Sequence, residues 1–248
     1  MGVTIVTGAG SGIGRATAEL LVADGGSVVA VDRSVESLTW AEELEPVRTV
    51  VGDVTEHAVN QGAVDTACGT FGTLDGVVFN AGIAAPGELD RVSMEHFDEV
   101  MAVNVRAVAL GMKTAVPVLD AGGAMVVTAS ISGLAADPGM AAYNTSKGAV
   151  INLVRSAAID LGPRGIRVNA VCPGPTRTRL TEPLAAVPRL EEQLARRAPL
   201  QRWAEPAEIA AVLAFLISPA ASVVTGVAVP ADAGISANNL QFDPPERP

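Results

Sequence analysis

The chain of 248 residues is long enough for one large α/β domain or two small ones. Charged residues make up only 18% of it, against roughly 25% in a typical soluble protein, which predicts that part of the surface is buried between subunits. A formal charge of −10 argues against nucleic acid or an anionic membrane as a partner. With two histidines, no histidine-rich metal centre is available, and no metal is predicted.

No apolar run reaches the roughly 18 residues of a membrane-spanning helix, so no membrane partner is predicted. The N-terminus enters an apolar run at residues 3–6 without a basic region or a cleavage site, which predicts a cytoplasmic protein. Cys68 and Cys172 match no metal or redox spacing and are interpreted as reduced packing residues.

Short β-branched runs alternate with longer helical patterns, and this alternation predicts βαβ units and a parallel sheet. In chain order, the predicted strands are residues 3–6, 27–31, 47–51, 76–79, 124–128, 166–171 and 226–229. The predicted helices lie near residues 12–23, 56–70, 93–118, 141–161 and 205–217. Because the strands are continuously apolar, helices are expected on both faces. Residues 1–248 are therefore predicted to form a single Rossmann-like domain, a three-layer α/β/α fold around a doubly wound sheet of about seven parallel strands.

Between the first strand and the first helix lies the glycine-rich segment 7–14, Thr-Gly-Ala-Gly-Ser-Gly-Ile-Gly. Glycines allow a tight turn and a close approach of the backbone to a pyrophosphate, whose charge the N–H groups and dipole of the following helix favour. A glycine pattern alone is weak evidence, but here a strand precedes it and a helix follows. The predicted phosphate contacts are Gly8, Ser11, Gly12, Ile13 and Gly14.

Asp32 ends the second predicted strand, eighteen residues after Gly14. A carboxylate there accepts hydrogen bonds from the adenosine ribose and repels a 2′-phosphate, so it favours NAD over NADP. Arg33 could instead pair with that phosphate; its alternative interpretation is a solvated loop charge or a cover over adenine. NAD is the predicted cofactor, and NADP is the less favoured one.

Tyr143 and Lys147 are four residues apart in a predicted helix, so the phenol and the ammonium share one face. Tyr143 is the only tyrosine of the chain, and Ser130 lies thirteen residues before it, at the end of a predicted strand. The nearby Ser132 is two residues too close to Tyr143 and is interpreted as a packing residue or a secondary contact.

Ordered motifs between residues 3 and 236 resemble the short-chain dehydrogenase/reductase family. Segment 7–14 resembles its TGxxxGxG loop, and residues 80–82 resemble its NNAG segment, with Phe79 in place of the first Asn. Residues 53–54 resemble its acidic pair at adenine, and residues 173–178 fit its PGxxxT segment. Its catalytic tetrad matches Asn104, Ser130, Tyr143 and Lys147. The resemblance implies cofactor contacts at Arg33, Asp53, Val54, Asn80, Ala81, Gly82, Tyr143, Lys147, Pro173, Gly174, Thr176 and Thr178.

The resemblance also implies the role of each tetrad residue in moving a hydride between a secondary alcohol or its ketone and a nicotinamide. Tyr143 is the acid/base, Lys147 also holds the nicotinamide ribose, Ser130 hydrogen-bonds the substrate oxygen, and Asn104 anchors a water relay. Free tyrosine titrates near 10, so Lys147 and the positive nicotinamide are expected to lower the pKa of Tyr143.

Prolines interrupt the alternation after residue 172, and residues 173–200 are predicted to form a substrate lid, because they follow a strand at its carboxyl end. The alternative is a variable surface excursion. Residues 241–248, which contain three prolines, are predicted to be a frayed tail or a segment that crosses a subunit interface. The resemblance implies a homotetramer or homodimer.

Three other functions use the same fold. An NADP-dependent ketoreductase, including the 3-oxoacyl type, shares the tetrad, but Asp32 and the acidic net charge count against it. A non-catalytic NAD-binding regulator would not need the complete tetrad. A dehydratase or epimerase would need a larger C-terminal lobe than 248 residues allow. The substrate and the physiological direction are not specified by the sequence.

Overall fold

The computed structural model describes residues 2–84, 86–237 and 244, so the predicted tail lies outside the described residues except for Pro244. One parallel sheet contains β1 Val3–Thr7, β2 Ser27–Asp32, β3 Val47–Val51, β4 Gly76–Phe79, β5 Ala124–Thr128, β6 Arg167–Pro173 and β7 Ala228–Ala231. The strands lie in the order β3-β2-β1-β4-β5-β6-β7.

Helices cover both faces of this sheet, which confirms the predicted Rossmann-like doubly wound fold. The α-helices of the described residues are α1 Gly12–Ala23, α2 His57–Phe71, α3 Met94–Met101, α4 Ala107–Ala115, α5 Ala141–Leu161, α6 Glu182–Ala185, α7 Pro188–Arg197 and α8 Pro206–Ile217. Within these described ranges, no helix is both long and apolar enough to cross a membrane.

The core consists of two apolar layers, one on each face of the sheet. Successive strand residues point to opposite faces, so Ile5 packs with α2, α4 and α5, whereas Val6 packs with α1 and α8. Both faces are buried, which explains why the strands are apolar without alternation.

The strand order places a switch point between β1 and β4. The chain moves outward from β1 through β2 to β3, then returns to β4 on the other side of β1 and continues outward to β7. The connections that leave the carboxyl ends of β1 and β4 therefore diverge, and a crevice opens between them.

Several segments differ from the sequence prediction. The predicted helix 93–118 is divided into α3, a π-helix at Ala102–Arg106, α4 and a short 3₁₀ turn at Val116–Val118. Strand β7 begins two residues later than predicted, because Gly226 has φ +74° and belongs to the preceding turn. The segment after β6 contains two helices, α6 and α7, that were not predicted.

Buried Arg167 at the start of β6 fixes the C-terminal end of α8 to the sheet. Its guanidinium donates to the carbonyl oxygens of Leu216 (2.7 Å), Ile217 (3.3 Å) and Ser218 (3.0 Å). These are carbonyls at the end of a helix, where the helix dipole favours a cation. Burial lowers the pKa of Arg167.

We expect Arg167→Met to lower the free energy of unfolding by about 2–4 kcal/mol, because three buried carbonyls lose a charged donor. Denaturant-induced unfolding measures the change. Arg164→Met is the matched control, since exposed Arg164 donates to the carbonyls of Val116 and Leu119 and should cost less than about 1 kcal/mol. Equal losses in the two variants would contradict the role assigned to burial.

Candidate active site

The predicted site residues lie at the carboxyl edge of the sheet, where the chain leaves successive strands. Gly8 follows β1, Asp32 ends β2, Asn80 follows β4, and Ser130 lies two residues beyond β5. This edge, next to the switch point between β1 and β4, is where open α/β sheets bind ligands.

The turn between β1 and α1 brings bare backbone to the start of the helix. Gly12 has φ +52°, and Gly14 lies so close to Gly8 that a Cβ would collide with the Gly8 carbonyl oxygen. Ser11 occupies the N-cap position of α1, and its side chain makes no capping hydrogen bond in the described structure. The dipole of α1 therefore favours an anion at a helix start that no side chain caps.

Asp32 is held by two backbone amides at the end of β2. Gly10 donates to Oδ2 (2.9 Å), and Ser34 donates to Oδ1 (3.2 Å). The Ser34 hydroxyl in turn donates to Glu36 (2.8 Å), so a second carboxylate lies on the same turn. Two carboxylates, with Arg33 between them in the sequence, therefore lie at this end of β2.

Asp53 and Val54 form the turn that follows β3. Hydrogen bonds from Thr55 hold the pKa of Asp53 below its ordinary value, and the charge of Arg33 acts in the same direction. The carbonyl of Val54 accepts from the side chain of Asn60 on α2 (2.8 Å), which fixes the turn to that helix. Arg33 thus lies near a carboxylate as well as at the end of β2.

The segment after β4 is fixed to the end of β1. The hydroxyl of Thr7 accepts from the amides of Asn80 (3.0 Å) and Ala81 (3.1 Å). Phe79, which replaces an Asn of the family pattern, is buried in the apolar core. Gly111 on α4 makes room for it, because a Cβ there would lie 2.5 Å from the Phe79 ring.

Helix α5 presents Tyr143 and Lys147 toward the end of β5, as their spacing predicts. The ammonium of Lys147 lies 5.6 Å from the centroid of the Tyr143 ring and donates to the carbonyl of Thr128 (2.8 Å). Ser130 is close enough to interact with the Tyr143 phenol. The structure therefore brings these three tetrad residues together.

The electrostatics of this group differ from the sequence expectation. Burial raises the pKa of Tyr143, the adjacent Ser130 hydroxyl lowers it, and the negative charge of Asp137 raises it further. Burial also lowers the pKa of Lys147 to about 8. In the chain without cofactor the pKa of Tyr143 is therefore raised rather than lowered, because desolvation of the phenol is the largest contribution.

Asn104, the fourth tetrad residue, lies in the π-helix between α3 and α4. The wider turn inserts one extra residue, a distortion often found at functional sites. The buried Asn104 side chain accepts from the amide of Ile83 (2.9 Å) and donates to the Ile83 carbonyl and the Ser146 hydroxyl. Ser146, which no sequence motif singled out, couples Asn104 to α5 through its hydroxyl.

The segment after β6 turns back toward the glycine loop. Pro173 ends the strand, and Gly174 donates to the carbonyl of Ala231 (3.1 Å). Thr176 is buried and donates to the carbonyl of Gly174 (2.9 Å), so its hydroxyl is used within its own turn. The methyl group of Thr178 faces Gly12, since a Cβ at Gly12 would lie 3.1 Å from it.

Arg177 connects this segment to α7 and to the loop before α8. Its guanidinium pairs with Glu191 (2.7 Å) and Glu205 (3.3 Å) and lies over the Trp203 ring. The Trp203 indole N–H donates to the carbonyl of Glu191 (3.2 Å). These contacts keep residues 177 and 188–197 together.

Asp137, which no sequence motif singled out, lies beside the tetrad. Ser130 and Ser132 are joined through their hydroxyls (3.0 Å), and Ser132 donates to the Asp137 carboxylate (2.5 Å). Asp137 precedes Pro138 and Gly139, a turn pattern that gives no sign of this contact.

The residues of this edge fit a nicotinamide dinucleotide. The helix start next to Gly12 suits a pyrophosphate, and the Asp32 carboxylate at the end of β2 suits a ribose. Gly82 lies next to the buried Lys147 ammonium, since a Cβ at Gly82 would lie 3.6 Å from the nitrogen.

Comparisons with known proteins identify the relatives of this chain. The family model described as enoyl-(acyl carrier protein) reductase matches residues 8–236. The 2-(R)-hydroxypropyl-CoM dehydrogenase of Xanthobacter autotrophicus is 39% identical over 95% of this chain and 98% of its own length. The meso-2,3-butanediol dehydrogenase of Serratia marcescens is 35% identical over 96% of both chains. A crystal structure of levodione reductase superposes with a TM-score of 0.90 and 35% identity, covering 95% of this chain and 97% of that one.

The fold, the site and these relatives define the class: an NAD(P)-dependent oxidoreductase acting on CH–OH groups or the corresponding ketones. The chain belongs to the short-chain dehydrogenase/reductase family.

Proposed function

We propose that this protein is an NAD-dependent secondary-alcohol dehydrogenase in which Tyr143 is the acid/base. The observation that carries the proposal is the position of Tyr143 and Lys147 on α5, next to Ser130. All three residues lie at the carboxyl edge of the sheet, where the glycine loop also lies. The relatives named as dehydrogenases of hydroxypropyl-CoM and of 2,3-butanediol support the same reaction.

Bound at this edge, the nicotinamide would accept or supply the hydride, and the chain would handle the proton. In alcohol oxidation, the Tyr143 oxygen takes the hydroxyl proton, and in ketone reduction it returns that proton. Lys147 places a positive charge beside the phenol and would also hold the nicotinamide ribose. Ser130 hydrogen-bonds the substrate oxygen. Asn104, fixed by Ile83 and Ser146, anchors the exit path of the proton.

The raised pKa of Tyr143 gives cofactor binding a direct electrostatic role. Burial disfavours the phenolate, whereas an added positive charge beside it favours the phenolate. The oxidised nicotinamide carries such a charge, so binding of the oxidised cofactor would prepare the base. Tyr143 would then remain a neutral donor whenever that charge is missing, as ketone reduction requires.

We propose NAD as the cofactor because of the acidic end of β2. We expect Asp32→Ala to reduce the preference for NAD⁺ over NADP⁺, as a ratio of kcat/KM values, by roughly 10- to 100-fold, since ribose hydrogen bonds and 2′-phosphate repulsion are both lost. Steady-state kinetics with each cofactor measure this ratio. Arg33→Ala is the control and should change the ratio less than about threefold; a wild-type preference for NADP⁺ would contradict the assignment.

We further propose that residues 173–200 cover the substrate. Support comes from their position after β6 and from Thr178, which reaches the glycine loop. Exposed Leu180 and Leu184 would supply an apolar wall. Assembly as a homotetramer or homodimer and a cytoplasmic location remain predictions from the sequence.

The deciding experiment follows reduced-nicotinamide absorbance with NAD⁺ or NADP⁺ across neutral and anionic secondary alcohols, in both directions. Turnover with NAD⁺ supports the proposal. Turnover with NADP⁺ and 3-oxoacyl thioesters would support the ketoreductase alternative. The description of the matched family model makes an enoyl thioester a necessary member of the panel. Cofactor binding without any turnover would favour the regulator.

A further inference from the structure

Ser130, Ser132 and Asp137 form a short hydrogen-bonded chain that ends at the tetrad. Ser130 and Ser132 are both buried. Their hydroxyl oxygens lie 3.0 Å apart, and the Ser132 oxygen lies 2.5 Å from Oδ2 of Asp137. This chain connects a loop carboxylate to the hydroxyl that hydrogen-bonds the substrate oxygen in the proposed function.

The loop that carries Asp137 is fixed to α5 beside Tyr143. The Asn144 side chain donates to the Asp137 carbonyl (2.8 Å) and accepts from the Asp137 amide (3.3 Å). Asn144 directly follows Tyr143 in the sequence. The position of the Asp137 carboxylate is therefore set by the same helix that carries the phenol.

The acceptor at the end of this chain determines the direction of every proton in it. A carboxylate only accepts hydrogen bonds, so the single Ser132 proton points to Asp137. The bond between the serines then uses the Ser130 proton, and the Ser132 amide also donates to the Ser130 oxygen (3.1 Å). Ser130 is left with an acceptor position and no free proton.

We propose that Asp137 is a positioning residue that acts through Ser132 to turn the Ser130 proton away from Tyr143 and the substrate oxygen. The proposal deepens the proposed function by assigning Ser130 its hydrogen-bonding direction. A bound alcohol donates its single proton to Tyr143 in the proposed reaction, so it can be held without a proton from Ser130. A bound ketone needs a donor, so Ser130 must break its bond to Ser132 to serve it.

The hydrogen-bonded chain from Ser130 to Asp137 also affects the pKa of the Tyr143 phenol. The ionisable groups placed around Tyr143 are Lys147 from α5 and Asp137 from the loop, and Cys172 on β6 interacts with Lys147. A Ser130 proton released from Ser132 would be free to stabilise the phenolate. Replacing Ser132 with Ala therefore lowers the pKa of Tyr143 with the Asp137 charge retained, and Asp137→Ala, which leaves no acceptor for Ser132, lowers it by removing that charge as well.

Tyr143 is the only tyrosine of the chain, so the ultraviolet absorbance of tyrosinate reports its titration without any turnover. We would titrate the full-length wild type, Ser132→Ala and Asp137→Ala, and repeat both substitutions on a Ser130→Ala background, with circular dichroism to exclude alkaline unfolding. We expect lower titration midpoints for both single variants. On the Ser130→Ala background, Ser132→Ala should have no effect, and Asp137→Ala should keep only its charge effect.

Two results would overturn the proposal: an unchanged midpoint in Ser132→Ala, or the same shift with and without Ser130. Cyclohexanone and cyclohexanol then serve as substrate probes. Both single variants should lower the KM for the ketone by up to about tenfold with less change for the alcohol, and the double variant should add nothing further. Additive effects would contradict a shared chain. If the wild type turns over no substrate, the proposed function fails, while the titrations still decide the role of Asp137.

Discussion

Tyr143→Phe is expected to reduce turnover by roughly 10²- to 10⁴-fold while leaving cofactor affinity within a few-fold of wild type. The substitution removes one hydroxyl and keeps the ring that packs 5.6 Å from the Lys147 ammonium. The proton then has no acceptor of suitable basicity next to the substrate oxygen. The helix, the glycine loop and the Lys147 contact to Thr128 do not depend on the hydroxyl.

Two measurements separate chemistry from binding in this variant. Turnover is followed by nicotinamide absorbance with the best alcohol of the wild-type panel, and cofactor affinity is followed by calorimetry. Thr145→Ala is the matched control, because it removes an exposed hydroxyl from the same helix. It should retain turnover within about twofold. Wild-type turnover in Tyr143→Phe would refute the assignment of the base.

The sequence predicted the sheet well because parallel strands covered on both faces leave a simple pattern. Five of the predicted strands begin where the structure has them, and α1 and α5 match the predicted bounds. The boundaries that shifted depend on long-range pairing or a single backbone angle. Strand β6 reaches Pro173 because β7 pairs with it there, and β7 is delayed by the turn at Gly226.

The helices after β6 show a different kind of error. Prolines there were interpreted as interruptions, yet Pro188 occupies the first turn of α7, where its missing N–H costs nothing. The first turn also contains Glu191, and the last turn contains Arg196 and Arg197, which complement the helix dipole. The residue types of α7 were therefore sufficient to predict it.

The chemistry of the site was only partly predictable. Spacing places Tyr143 and Lys147 on one helix face, but it carries no information on how far each group is removed from water. In the π-helix around Asn104, the backbone hydrogen bonds span five residues instead of four, and the residue types do not reveal this change. The contact between Ser132 and Asp137 arises when a loop docks on α5, so only the folded chain shows it.

Lys147→Met is expected to reduce turnover by at least about 10²-fold and to stabilise the cofactor-free fold at pH 7. Burial lowers the pKa of Lys147 from 10.5 to about 8, so folding disfavours the ammonium. A shift of this size corresponds to a penalty on the order of 3 kcal/mol. Loss of the hydrogen bond to Thr128 offsets part of it, and we expect a net gain on the order of 1–2 kcal/mol.

The pH dependence gives the sharper test, because it has a definite sign. Between about pH 8 and 10.5, the unfolded chain binds a proton at Lys147 that the folded chain has lost. Wild-type stability relative to the variant must therefore increase with pH across this window, and the stability advantage of the variant is complete only below pH 8.

Denaturant-induced unfolding at pH 7 and pH 10 measures this change in relative stability. Exposed Lys113→Met is the control, for which no such change between the two pH values is expected. A Lys147→Met variant less stable than wild type at pH 7, or a difference independent of pH, would contradict the burial argument. The expected result would mean that the burial of Lys147 lowers the stability of the fold. The same burial places the ammonium beside Tyr143, where the proposed chemistry needs it.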